Sequence, residues 1–112
     1  MAPLWQPPCM PFLLDGPGGI ASEELNATIS DWPAGSASPL HVNAERDVLV
    51  VVLQGSAVVE VAGEQHPRAA GEALVVEKGV ARRIVPGPDG ARVLTAHRRR
   101  PGLMPAPAPP RP

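Results

Sequence analysis

The distribution of apolar residues along the chain predicts short β-strands separated by turns. The densest apolar run is VLVVVL, Val48 to Leu53, which is rich in β-branched residues, with charged residues before it and Gly55 shortly after it. Because both faces of this strand would be apolar, we expect one face to fill the interior. The other face would then be covered by a second subunit or by the N-terminal arm.

Weaker patterns predict the remaining strands. Leu25, Ala27 and Ile29 share one parity, which predicts a first strand with an apolar face, ended by Trp32 and Pro33. Further strands are predicted over residues 57–61, 73–76, 82–85 and 92–97, with turns at 62–64 and 78–79 and a hairpin at 86–90 whose tip is Asp-Gly. No helical periodicity of useful length competes, so the pattern favours an all-β sandwich or barrel.

The length of the chain, 112 residues, is that of one domain. We expect an extended N-terminal arm over residues 1–19, a β-domain over residues 20–100 and a tail over residues 101–112. The tail holds six prolines and is predicted to be disordered or to form polyproline II.

Composition and charge exclude several classes of protein. The net charge of −1 does not suit binding to nucleic acid. The single cysteine, Cys9, allows no intramolecular disulfide, which fits a cytoplasmic protein. No uninterrupted apolar stretch reaches the roughly 18 residues of a transmembrane helix, so we expect no membrane span.

Two segments on either side of a 15-residue gap carry glycines at fixed offsets. The first runs GSASPLHVNAERDVLVVVLQG, from Gly35 to Gly55. The second runs GEALVVEKGVAR and includes Gly71 and Gly79. Together they resemble the two motifs of the cupin superfamily, in which these glycines occupy strand corners. The resemblance implies an all-β fold, a cupin-type antiparallel β-barrel of the jelly-roll kind, and we expect a homodimer.

The same comparison shows that most residues of the usual cupin metal site are replaced. His41 matches one ligand position, but the other three hold Asn43, Val48 and Arg82. Val48 has no donor atom, and Arg82 is a permanent cation without a lone pair. We therefore predict no metal cofactor; if a divalent transition metal does bind, its ligands would be His41, Glu45, Asp47 and His97.

The position of Arg82 points into the barrel in the family pattern, where an unpaired charge would be costly. Arg82 then either forms an internal ion pair with Glu45, Asp47 or Glu77, or anchors an anionic ligand by bidentate hydrogen bonds. We predict a small-molecule-binding module whose pocket is lined by His41, Asn43, Arg82 and His97, with no catalytic residue assigned. The alternatives are a metal-dependent isomerase or dioxygenase with rearranged ligands, and a structural or assembly protein.

Overall fold

The computed structural model describes Leu14 and residues 16–99, and these residues form strands and loops without any helix. Every strand pairing is antiparallel, which confirms the all-β prediction. Within this part of the chain there is consequently no helix long and apolar enough to cross a membrane. The strands are β1 (Gly18–Ala21), β2 (Leu25–Trp32), β3 (His41–Val42), β4 (Val48–Val61), β5 (Glu64–Ala69), β6 (Ala73–Val76) and β7 (Ala81–Arg98).

Two long strands, β4 and β7, pair along most of their length and divide the sheet into two layers. The first layer contains β1, β2, the second half of β7, the first half of β4, and β6. The second layer contains β3, the first half of β7, the second half of β4, and β5. The two layers enclose the interior of the barrel.

The core lies between the layers and consists mainly of valine. The run from Val48 to Leu53 alternates strictly, with Val48, Val50 and Val52 buried and Leu49 and Leu53 exposed. One face of this strand therefore fills the interior, as its pattern predicts. The buried apolar residues that form the cluster are Val48, Val50, Val52, Ala57, Val59, Val76, Ile84, Ala91 and Val93.

The hairpin predicted at residues 86–90 is wrong. β7 continues through this segment and keeps its antiparallel pairing with β4 on both sides of it. Between the pairs Ala57–Pro86 and Gly55–Ala91, β4 contributes only Ser56 whereas β7 contributes residues 87–90. The Pro- and Gly-rich segment thus forms a large irregularity where β7 passes from one layer to the other. Residues 48–53 and 57–61, predicted as separate strands, likewise form the single strand β4.

The four glycines of the two motifs all adopt positive φ angles, between 74° and 87°. Gly55 has the strictest requirement, because a Cβ atom there would overlap the carbonyl oxygen of Gly90. The turn predicted at residues 62–64 is also confirmed: Ala62 and Gly63 both have positive φ and join β4 to β5 in a tight hairpin. The strand-corner role predicted for the glycines is confirmed as well.

The outer surface of the first layer is apolar. Residues paired directly across antiparallel strands place their side chains on the same face of the sheet. Leu49 pairs with Val75 on one side and with Ala96 on the other, and Ala96 in turn pairs with Ala27, so one apolar row crosses four strands. Leu25, Leu49 and Val75 are 56%, 39% and 55% exposed on this surface. We call it the outer apolar face; its members are Leu25, Ala27, Ile29, Leu49, Val51, Val75, Leu94 and Ala96.

The described residues cover the predicted β-domain, residues 20–100, up to residue 99, and little of the predicted arm. β1 begins at Gly18, two residues before the expected start at residue 20, and pairs with β2 as part of the sheet. Most of the predicted arm, residues 1–13, and the predicted tail, residues 101–112, lie outside the described residues.

Candidate functional site: a polar cavity between the layers

A cavity of about 310 Å³ opens between the two layers of the barrel. All four residues predicted to bind a ligand line it: His41, Asn43, Arg82 and His97. They come from β3, the loop after it, and the two ends of β7, so the fold brings together residues that are up to 56 positions apart in the sequence. Whether they bind a ligand remains a prediction.

One wall of the cavity is cationic. His41 on β3 is paired directly with Arg82 on β7, so their side chains lie on the same face of the second layer. Both residues line the cavity, with His41 exposed. The guanidinium of Arg82 is about half buried, and this burial lowers its pKa because desolvation disfavours the charged form. An arginine nonetheless remains protonated at neutral pH, so this wall carries a positive charge.

Arg82 has no partner for that charge among the described residues. The predicted internal ion pair with Glu45, Asp47 or Glu77 is therefore wrong: burial is the only cause of its pKa shift, and no carboxylate contributes. Asp47 accepts a hydrogen bond from the backbone N–H of Lys78 instead, at 2.9 Å. Of the described residues that line the cavity, none is Asp or Glu.

Asn43 and His97 are partly engaged by the backbone. The side-chain oxygen of Asn43 accepts hydrogen bonds from the N–H groups of Glu45 and Arg46, at 3.1 and 3.0 Å, and so fixes the loop after β3. Its amide NH₂ group remains for other contacts. His97 places Nδ1 3.0 Å from the carbonyl oxygen of Arg98; with Nδ1 protonated, Nε2 has a free lone pair.

A second wall of the cavity carries hydroxyl groups that the sequence analysis missed. Thr28 and Ser30 on β2 and Thr95 on β7 all line the cavity, and Thr28 lies directly opposite Thr95 in the ladder. β2 thus turns its polar parity inward, and the apolar parity recognised from the sequence (Leu25, Ala27, Ile29) forms part of the outer apolar face. The alternation itself was visible, but it carries no information on which face is the inner one.

Trp32, at the end of β2, contributes an apolar surface and an unsatisfied donor. Its side chain packs against the core and also lines the cavity. The indole Nε1 is buried without a hydrogen-bond partner among the described residues. A buried donor of this kind costs free energy, typically about 1–3 kcal/mol, unless a ligand or water satisfies it.

The donor set does not fit a tight metal site. The cavity supplies two imidazoles and an amide oxygen that already accepts two hydrogen bonds, and it also contains the guanidinium of Arg82, which repels cations. The two carboxylates among the predicted metal ligands, Glu45 and Asp47, line a different groove of about 540 Å³. His97 lines both this groove and the cavity. In the described part of the chain no three His, Cys, Asp or Glu side chains are grouped to hold a metal ion. The absence of a metal cofactor itself stays a prediction.

Comparison with solved structures places this architecture among cupins. The chain is similar to KdgF from Halomonas sp., with 24% identity, a TM-score of 0.65, and 78% of this chain and 81% of that chain covered. It is also similar to a cupin protein from Bacteroides fragilis (18% identity, TM-score 0.68, 85% and 86% covered) and to the cupin domain of Cnp3 from Schizosaccharomyces pombe (20% identity, TM-score 0.68, 74% and 63% covered). At these identities the likeness establishes the fold alone.

Sequence comparison supplies the family. No curated protein matches the chain. The family profile of the cupin domain matches residues 28–97, which span β2 to β7 and include both glycine motifs. The chain therefore belongs to the cupin domain family.

Proposed function

We propose that this cupin is a binding module for a small organic anion, with Arg82 as the anchor. The observation that carries the proposal is the half-buried guanidinium of Arg82, which lines the cavity without an anionic partner among the described residues. A carboxylate would neutralise this charge and accept two parallel hydrogen bonds from it. His41, on the same face of the neighbouring strand, adds a second donor to the anion.

The test compares Arg82→Met with Arg83→Met. Methionine keeps the apolar stem and removes the charge, and Arg83 is the next residue of β7, on the opposite face of the strand. Purified proteins are titrated with sodium salts of mono- and dicarboxylic acids and with inorganic phosphate at constant ionic strength, and binding is followed by calorimetry and melting temperature. A ligand at 100 times its Kd stabilises the folded state by about 2.7 kcal/mol, which is readily measured.

We expect a carboxylate to bind the wild type and the Arg83→Met variant equally. Arg82→Met should weaken binding by roughly 10- to 150-fold, the loss expected for a charge-assisted hydrogen-bonded contact of 1.5–3 kcal/mol. Equal binding to the Arg82→Met variant, or no binding to the wild type across the series, would contradict the proposal.

The metal-dependent alternative has its own measurement. Elemental mass spectrometry of protein purified without a tag or chelator should give substoichiometric metal that His41→Ala leaves unchanged. About one equivalent of Fe, Mn, Ni or Zn that is lost in His41→Ala would instead favour an enzyme with rearranged ligands.

For the protein partner, we propose a second copy of the chain bound at the outer apolar face. Among the described residues the central positions of this face are apolar. Charged residues border the groove that Leu25, Leu49 and Val75 line: Glu45, Arg46, Asp47, Lys78 and Arg98. A twofold axis through the apolar centre can therefore bring the face against itself without burying unpaired ions there. Leu49→Glu places a carboxylate in the middle of the face, and Leu40→Glu, in the loop before β3, is the matched control at another exposed leucine. Light scattering should give twice the mass of the chain for wild type and Leu40→Glu, and the mass of a single chain for Leu49→Glu. A wild type of single-chain mass at micromolar concentrations would contradict the dimer.

A further inference from the structure

The side of the cavity that carries Thr28, Ser30 and Thr95, which we call the hydroxyl wall, restricts the kind of small molecule that the cavity can bind well. Thr28, Ser30 and Thr95 all line the cavity, and none of these hydroxyl groups forms a hydrogen bond with another described residue. Ser38, which also lines the cavity, differs because its hydroxyl accepts a hydrogen bond from the N–H of Ile84 and donates one to the carbonyl of Pro39. Three uncommitted hydroxyls are therefore available to a ligand.

The placement of these hydroxyls departs from the rest of the interior. The inward positions in the first half of β4 are Val48, Val50 and Val52, all fully buried. Valine and threonine have nearly the same shape and both favour strands, so a barrel that needed only packing could use valine on every strand. On the wall formed by β2 and the second half of β7, however, Thr28, Ser30 and Thr95 carry hydroxyl groups next to the buried Val93. Thr28 is exposed and Ser30 is half-buried, so these hydroxyls lie where a molecule entering the cavity can reach them.

The hydroxyl wall and the cationic wall belong to different layers. Thr28, Ser30 and Thr95 lie in the first layer, whereas Arg82 and His41 lie in the second. Packed sheets are about 10 Å apart, so a molecule held between them spans several bonds. Its anionic group would contact Arg82, and the part several bonds away would meet the three hydroxyls.

We infer that the ligand is a hydroxylated carboxylate: an acid whose carboxylate contacts Arg82 and whose hydroxyl groups pair with Thr28, Ser30 and Thr95. A ligand hydroxyl can both donate and accept, which matches the threonine and serine hydroxyls, whereas an alkyl chain would leave them unsatisfied. Trp32 lines the same cavity and offers an apolar surface to the C–H groups of such a molecule. This inference rests on the proposed function, since it takes Arg82 as the anchor.

The experiment compares the binding of six-carbon compounds that differ in hydroxyl groups and in charge. Hexanoate has no hydroxyls; gluconate, galactonate and glucuronate carry several; sorbitol has the hydroxyls without the charge. Calorimetric titrations use the wild type, the double variant Thr28→Val/Thr95→Val, and Ser30→Ala. Ser56→Ala is the matched control, because Ser56 lies on β4 at the crossing between layers and does not line the cavity. Melting curves establish that each variant is folded.

We expect at least one hydroxylated acid to bind the wild type ten times or more tightly than hexanoate. The double threonine variant should lose most of this preference while its affinity for hexanoate stays within about threefold. Ser30→Ala should lose about 2- to 10-fold for the hydroxylated acid. Ser56→Ala should match the wild type.

The failures of the two proposals can be distinguished. Equal binding of hexanoate and the hydroxylated acids, still dependent on Arg82, would overturn the hydroxyl assignment and leave the anion site standing. Sorbitol binding as tightly as the acids, with no effect of Arg82→Met, would overturn the anion site. If no acid binds, both proposals are wrong.

Discussion

Replacing Arg82 by methionine should make the unliganded protein more stable, although most substitutions of inward-facing residues destabilise. The guanidinium is about half buried and has no anionic partner in the described chain, so folding removes part of its hydration without compensation. Full burial of an unpaired charge costs several kcal/mol, and the exposed half reduces this by solvent screening. We expect Arg82→Met to raise the free energy of unfolding by about 1 kcal/mol, or the melting temperature by about 4–8 °C.

The assay is urea denaturation of the wild type, Arg82→Met and Arg83→Met without added organic acids. Burial lowers the pKa of Arg82, so its cost is present at every pH below that pKa, and the gain in Arg82→Met should be the same at pH 6 and pH 8. Arg83 lies 4.0 Å from the carboxylate of Glu60, but its Nε is buried without a hydrogen-bond partner among the described residues. These two effects oppose each other, so Arg83→Met should be close to neutral. If Arg82→Met instead lowers the free energy of unfolding by 1 kcal/mol or more, Arg82 has a stabilising partner and the argument for a free cation is refuted.

Two further predictions concern the fold. Gly55→Ala should lower the free energy of unfolding by more than about 3 kcal/mol or prevent folding, because its Cβ would overlap the carbonyl of Gly90. Gly63→Ala should lower it by about 1 kcal/mol, because Gly63 has a similar positive φ but open space around it. Urea denaturation measures both. Two hydrogen bonds from Arg92 lower the pKa of Asp31, so their contribution to stability is present above about pH 4 and lost as the pH falls through the lowered pKa. Asp31→Asn should therefore reduce the loss of stability between pH 4.5 and 2.5, and an unchanged acid titration would contradict this.

The glycine motifs made the fold predictable from the sequence. Gly55 and Gly79 stand at positions where the backbone needs positive φ, and such requirements are readable because few other residues meet them. The segment from Pro86 to Gly90 was misread for a related reason. Its Asp-Gly pair is the commonest hairpin signal, but the same residues also suit an irregularity within a strand. Only the pairing with β4 on both sides decides between them.

The site was predictable only where the family pattern assigns a position. His41 and Arg82 stand at motif positions, and both line the cavity. Thr28 and Thr95 lie near the two ends of the family match, residues 28–97, and outside both glycine motifs. The alternation of apolar and polar residues along their strands does not show which face turns inward. That Arg82 has no charged partner in the described part of the chain could not be read from the sequence either. Asp47 was near enough in the motif to pair with it, but instead accepts a hydrogen bond from the backbone N–H of Lys78.

The orientation of β2 connects the two proposals. This strand turns Thr28 and Ser30 toward the cavity, where Thr28 is still exposed, and leaves Leu25 56% exposed with Ala27 and Ile29 only half-buried. Burial of apolar area in an isolated domain would instead favour the apolar parity inside. Turning the strand over would bury the leucine parity but would place hydroxyls on the surface of the sheet and alkyl groups against Arg82. The arrangement observed is favourable when both faces have partners: a hydroxylated anion inside and a second apolar face outside. Ligand and subunit would then stabilise the same strand from opposite sides, so binding at either face should strengthen binding at the other.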